Sequence, residues 1–273
     1  MAGDAAADGQ VDILGHILDS KRLDVPFVNA HNWVDGHIEL PQFAPIYGID
    51  LSISKHVLMM WLASGLLIML LTLAFRRPQA VPSGLASLFE AIVLFIRDEV
   101  VLPIMGEGGR KYMPYLLTVF FFILACNLIG LFPYSATATG NISVTAALAL
   151  CTFAVTHVSG VANNGFIGYC RSIVPSGMPG WLLPIMIPIE IMGLLSKPFA
   201  LAIRLFANMI AGHVAILVFL GLIIMLKSYY LAPFSVAFAA AIYLLEIFIG
   251  FIQAFIFTLL SALFISMAAH PDH

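Results

Sequence analysis

Four charged side chains interrupt the long apolar runs of the C-terminal third: Glu190, Lys197, Arg204 and Glu246. Holding an ionised group at the centre of a bilayer costs at least roughly 2.5 to 3.5 kcal/mol, so such a residue faces protein or water and has a task. Their chemistries differ. The guanidinium of Arg204 keeps its proton at any relevant pH and acts as a fixed positive charge. Glu190, Glu246 and the nearby His213 can take up and release protons, the histidine near neutral pH. Titratable groups on both sides of a permanent charge are what a proton path interrupted by a barrier requires.

Spacing sharpens this reading. On a helix turning about 100° per residue, Glu190 and Asn208 each lie about 40° from Arg204, and Lys197 and Ala211 about 20° from it. One polar stripe results. Ala200 and Ala207 flank Arg204, and small side chains let another helix approach closely. His213, at about 180° from Arg204, lies on the opposite side. Glu246 and Gln253 fall within about 20° of each other. If the two long C-terminal runs form an antiparallel hairpin, His213 and Glu246 reach similar depth toward the outer side, with Glu190 toward the inner side. Plainer readings exist: Lys197 snorkelling to the inner interface, Glu190 and Glu246 as a structural ion pair or neutral hydrogen-bonded acids, and His213 as a packed core residue. His56 and His157 have no companions in the sequence and receive no role.

The elements that position these residues are membrane spans. Of the 273 residues 61% are hydrophobic and 10% charged, against roughly 25% charged in an average soluble domain. Crossing the hydrocarbon core takes about 20 apolar residues. Residues 57 to 75, 112 to 132 and 142 to 160 carry no Asp, Glu, Lys or Arg, and the first stops at Arg76-Arg77-Pro78. Residues 181 to 226 and 231 to 269 are nearly continuous apolar helix formers. At 1.5 Å per residue each runs to about 55 to 70 Å, so each must tilt or break, and Pro184, Pro188 and Pro198 are candidate break points. Residues 83 to 103 place Leu85, Leu88, Phe89, Ile92, Phe95 and Ile96 at helical spacing, as in a helix lying in the membrane interface. The expected fold is all-α and integral to the membrane, with about five crossings, one interfacial amphipathic helix and a C-terminal hairpin of two long, strongly tilted helices. Residues 1–52 form a polar extension and 53–273 a single membrane domain, with 181–269 the hairpin.

Other features exclude function classes. The net charge is −3 and no Lys/Arg cluster exceeds the pairs Lys21-Arg22, Arg76-Arg77 and Arg110-Lys111, so nucleic acid is not an expected partner. Cys126, Cys151 and Cys170 lack metal-ligand spacing and read as packing residues. The first 50 residues hold eight acids and no apolar run suited to a secretory leader. His16, His31 and His37 within them lack tight ligand spacing. No phosphate-binding GxxxxGK[ST] loop occurs. Arg76, Arg77, Arg97, Arg110 and Lys111 follow the first span, which places that loop in the cytoplasm, the N-terminus outside and the C-terminus inside.

The run from Glu190 through Ser196-Lys197-Pro198, Arg204-Leu-Phe-Ala-Asn208 and Gly212-His213 resembles the signature of subunit a of F-type ATP synthases, and Gln253-Ala-Phe-Ile-Phe resembles that family's last helix. The resemblance covers residues 57 to 269. It implies a non-catalytic stator subunit against which a ring of c subunits turns, with peripheral-stalk b subunits, the remaining synthase subunits and the lipid bilayer as partners and no cofactor or metal. By resemblance, Arg204 faces the ring and separates two aqueous half-channels, and Glu190 lines the inner one. His213, Glu246, Asn208 and Gln253 belong to the outer path or the ring-facing site. The implied location is the bacterial inner membrane, or the inner membrane of an energy-transducing organelle. Many bacterial members carry an acid at the position of His213 and a histidine at that of Glu246; here the pair is exchanged. Gly140 stands where an aspartate is common, and Phe264 where a tyrosine is. The alternatives are a proton-coupled secondary transporter, which would carry inverted repeats that are not seen, and a membrane scaffold whose charges only organise helix packing.

Overall fold

A computed structural model of the chain describes residues 22–24, 37–39, 41–42, 52–76, 83–132, 135, 137–172, 180–226 and 232–269. The features expected at His16, Lys21, His31, Arg77, Pro78, Pro133 and Lys227 lie outside the described residues.

A long uncharged segment in lipid can satisfy its own peptide groups only by forming a helix or joining a closed barrel. This chain takes the helical solution. The helices are α1 (Lys55–Ala74), α2 (Leu85–Ile96), α3 (Leu102–Met105), α4 (Met113–Gly130), α5 (Ile142–Ser172), α6 (Leu183–Leu226) and α7 (Ala232–Ala269). Among the described residues five helical stretches are long and apolar enough to cross a membrane: Lys55–Ala74, Glu107–Gly130, Ile142–Ser172, Pro184–Phe219 and Pro233–Ala269. The N-terminal extension adds a two-stranded antiparallel ribbon, β1 (Arg22–Asp24) with β2 (His37–Glu39), which its polar composition did not announce.

Pro188 and Pro198 lie inside α6, yet the helix runs unbroken for 44 residues, about 66 Å at 1.5 Å per residue. The run 83–103 is α2 continued through a π-helical turn, Arg97–Val101, into α3. Phe89 and Ile96 of its apolar stripe are buried, while Leu85, Leu88 and Phe95 stay exposed. In α1, Trp61, Leu62, Ile68, Met69 and Leu73 are exposed, as suits a helix whose surroundings are lipid.

The described residues separate into two compact units, each gathered from distant stretches. The first comprises the described part of Met1–Trp61, Cys126–Asn141 and Phe206–Phe251. Within it Phe219 stacks on Phe238 with ring centroids 5.5 Å apart, and His213 meets Glu246. These pairs show α6 and α7 running antiparallel there. The end of α4 joins them through Asn127, whose amide donates to the Gly250 carbonyl at 3.1 Å and accepts from Thr139 at 2.7 Å. All three side-chain and backbone groups sit in the interior, where an unpaired polar group would be costly.

The second unit comprises Leu62–Ala125, Ile142–Leu205 and the described part of Ile252–His273. Here α7 buries a stripe of mostly small or polar residues, Gln253, Ala254, Thr258, Ser261 and Ala262, around Phe257 and Ile265. Because lipid is as apolar as a leucine core, close packing of small residues drives helix association in place of the hydrophobic effect. The hydroxyls of Thr258 and Ser261 donate to the carbonyls of Ala254 and Phe257 at 2.9 and 2.8 Å, so their burial leaves no donor unpaired. α5 bends at Gly165, where φ is +70°, a conformation glycine adopts without strain. The bend brings Tyr169 back over Gly160 and into a hydrogen bond with His157.

Candidate functional site

In the first unit the imidazole of His213, half-buried on α6, is contacted from three sides. Its Nδ1 lies 2.6 Å from Glu246 Oε1 and 3.1 Å from the Met209 carbonyl. Its Nε2 lies 2.8 Å from Thr137 Oγ1 and 3.0 Å from the Gly130 carbonyl. Glu246 is 2% exposed, and beyond His213 neither carboxylate oxygen finds a partner among the described residues. Its carboxyl occupies a notch that exists because residue 212 is glycine: a Cβ there would lie 2.7 Å from both Glu246 Cδ and Oε1. A buried acid against an imidazole, with few competing partners, is arranged to exchange a proton. Asn208 is exposed in this unit, as are Ala207 and Ala211.

In the second unit Arg204 stands exposed on α6, with Ala200 and Ile203 exposed beside it and Leu201, Ala202 and Leu205 buried behind. By helical register, positions 200, 203, 204, 207, 208 and 211 share one side of the continuous helix. The stripe anticipated around Arg204 divides, however. Glu190 and Lys197 are half-buried and line a cavity of about 160 Å³ together with Thr156, His157, Tyr169 and Ser172. Such a space, walled by polar and apolar side chains alike, is large enough for several waters. Lys197 does not simply extend from the helix: its ammonium lies 5.5 Å from the centroid of the Phe264 ring, a cation–π arrangement. Gln253 is 1% exposed.

The sequence reading gave His157 no companion. The structure supplies Tyr169, whose hydroxyl bonds His157 Nδ1, and a wall position in the Glu190 cavity. His56 is buried and partnered as well. Thr137 and Gly130 escaped notice, and Gly212 stood only as the neighbour of His213 in the motif; each acts through a contact made across the fold. Among the described residues no cluster of three or more metal-ligating side chains occurs.

Residues 57–266 match the family described as ATP synthase A chain. The chain belongs to this family. Among its relatives, ATP synthase subunit a of Chloroherpeton thalassium is 48% identical over 288 residues, covering 99% of this chain and 84% of the relative. ATP synthase subunit a 2 of Chlorobium luteolum is 49% identical over 263 residues, 94% of this chain and 74% of the relative. ATP synthase subunit a of Myxococcus xanthus is 50% identical over 234 residues, 82% and 77%. As an ATP synthase A chain family member with five apolar helices of spanning length among the described residues, the protein is integral to a membrane. The matched range contains Glu190, Arg204, Asn208, His213, Glu246 and Gln253.

Outside the spanning segments, electrostatics are ordinary. Arg97 Nε lies 2.7 Å from Asp98 Oδ1. Its hydrogen bond holds the Asp98 carboxyl below the usual carboxylate range. Both groups face solvent, where such a pair is screened.

Proposed function

We propose that the chain is the proton-translocating stator subunit of an F-type ATP synthase, working against a ring of c subunits that each carry a carboxylate at mid-membrane. The observation that carries this reading is the exposure of Arg204 on α6, with Ala200 and, by register, Ala207 and Ala211 leaving room around it. A permanent cation on a lipid-depth face is costly unless an acidic partner covers it, and small neighbours let a partner helix come near.

In this mechanism a ring carboxylate ionises as it meets Arg204, gives its proton to one half-channel and takes another from the opposite one after rotation. The cavity holding Glu190 serves the cytoplasmic side, and His213 with Glu246 serves the outer side. Asn208 and Gln253 belong to the ring-facing and outer-path positions. Arg204 blocks direct passage because its charge repels a proton and it releases none of its own. Each proton crossing 100 mV releases about 2.3 kcal/mol, so several pass for each ATP. The chain itself forms no covalent bond in the reaction and needs no cofactor. Its partners are the c ring, the peripheral-stalk b subunits and the other synthase subunits. Its place is the bacterial plasma membrane, with the N-terminus outside and the C-terminus in the cytoplasm.

The test is Arg204→Ala in the assembled complex in inverted vesicles. ATP-driven proton pumping should vanish while subunit content stays normal. Full pumping by the variant would refute the assignment. Lost assembly with pumping preserved in proportion to the remaining complex would instead point to a scaffold.

A further inference from the structure

We propose that Thr137 is a positioning residue for His213, holding the imidazole in one orientation through both of its protonation states. The proposal deepens the reading of His213 and Glu246 as a proton path and rests on it.

The argument comes from the four groups around the ring. Nδ1 faces the Glu246 carboxylate and the Met209 carbonyl, and Nε2 faces the Gly130 carbonyl and the Thr137 hydroxyl. A carbonyl only accepts hydrogen bonds, whereas a hydroxyl donates or accepts. With a proton on Nε2, the ring donates to Gly130 or Thr137. With Nε2 bare, the Gly130 carbonyl offers nothing and lone pairs oppose each other. Thr137 alone among these groups can then donate to Nε2. Its hydroxyl therefore keeps Nδ1 aimed at Glu246 when the proton has left.

The fold fixes Thr137 for this. Gly130 ends α4 without a side chain, and a Cβ there would come within 2.6 Å of Thr137 Cβ. Thr137 thus packs directly on the bare helix end. The short turn Ala138–Gly140 ties Thr137 in place through the Gly140 amide, which donates to the Thr137 carbonyl at 2.9 Å. Thr137 is 5% exposed, so water does not readily replace it. Among the described residues the groups facing His213 are the Glu246 carboxyl on α7 and Gly130, Thr137 and Met209, of which only Glu246 carries an ionisable group.

The experiment compares Thr137→Val, which keeps the shape and removes the hydroxyl, with Thr137→Ser, which keeps the hydroxyl. Each is measured as ATP-driven pumping against pH in the assembled complex in inverted vesicles, beside His213→Ala and Glu246→Gln. The expected result is a valine variant slowed on the order of fivefold, as for one lost hydrogen bond, with the loss largest on the alkaline arm where Nε2 is bare. Serine should restore rate and profile. A valine variant with the parental profile, or a serine variant as impaired as valine, overturns the proposal. If valine prevents assembly, Thr137→Ala gives the same comparison, and a parental profile there overturns it equally. Should His213→Ala and Glu246→Gln both pump normally, the proton-path reading falls; if they are impaired while the valine variant is not, only the role of Thr137 falls.

Discussion

Gly212→Ala replaces one hydrogen by a methyl group opposite the Glu246 carboxyl, and the structure gives its consequence. The new Cβ would lie 2.7 Å from Cδ and Oε1 of Glu246 and 3.1 Å from Cγ. Comfortable contact between such atoms needs about 3.5 Å, so the carboxyl must retreat by roughly 0.8 Å. The end of a glutamate can swing that far without moving the helices, and stability should fall by no more than about 1 kcal/mol, the low end for an added methyl in a packed site. The carboxyl also sits 2.6 Å from His213 Nδ1, and that contact is what the swing removes. A misplacement of about 1 Å between reacting groups can cost on the order of a hundredfold in rate. ATP-driven pumping in inverted vesicles should therefore drop by roughly 10- to 100-fold, while the amount of this chain in the complex and the thermal stability of the complex remain near normal. A fully assembled alanine variant that pumps at the parental rate would refute the reasoning, because the His213–Glu246 distance would then not matter.

Two other outcomes follow from the same geometry. Glu246→Gln keeps the shape but cannot ionise, so pumping should slow and its pH profile change; an unaltered profile would make Glu246 a structural residue. Gly160→Ala places a Cβ into the Tyr169 ring and 3.1 Å from the Ala268 carbonyl, and because the helix backbone cannot yield, complex yield and melting temperature should fall by an amount reflecting roughly 1–3 kcal/mol, with an unchanged melting temperature as the contrary result.

The spans could be read from the sequence because lipid imposes one local rule, a length of apolar residues without charge, that needs no tertiary information. The alanines around Arg204 were legible for the same reason, as helix register is local. What the sequence hid depends on contacts between distant segments. Thr137 and His213 are 76 positions apart, and the notch at Gly212 has meaning only once Glu246 lies opposite. His157 gained its partner through the positive φ of Gly165, which turns Tyr169 back along α5. Between tilting and breaking, which the sequence left open, the prolines of α6 impose no break. Pro188 and Pro198 each remove one backbone donor, but in a membrane neighbouring groups can satisfy the freed carbonyls and the helix continues.

If the face of α6 that carries Arg204 meets the ring, cysteine cross-linking between the two will report it. Single cysteines at Ala200, Ala207 and Ala211, all exposed, should form disulfides with cysteines flanking the ring subunit's mid-membrane carboxylate. Cysteines at Leu201, Leu205 and Met209, each 0–1% exposed, should not. Cross-links confined to the buried set, or equal yields from both, would contradict the account.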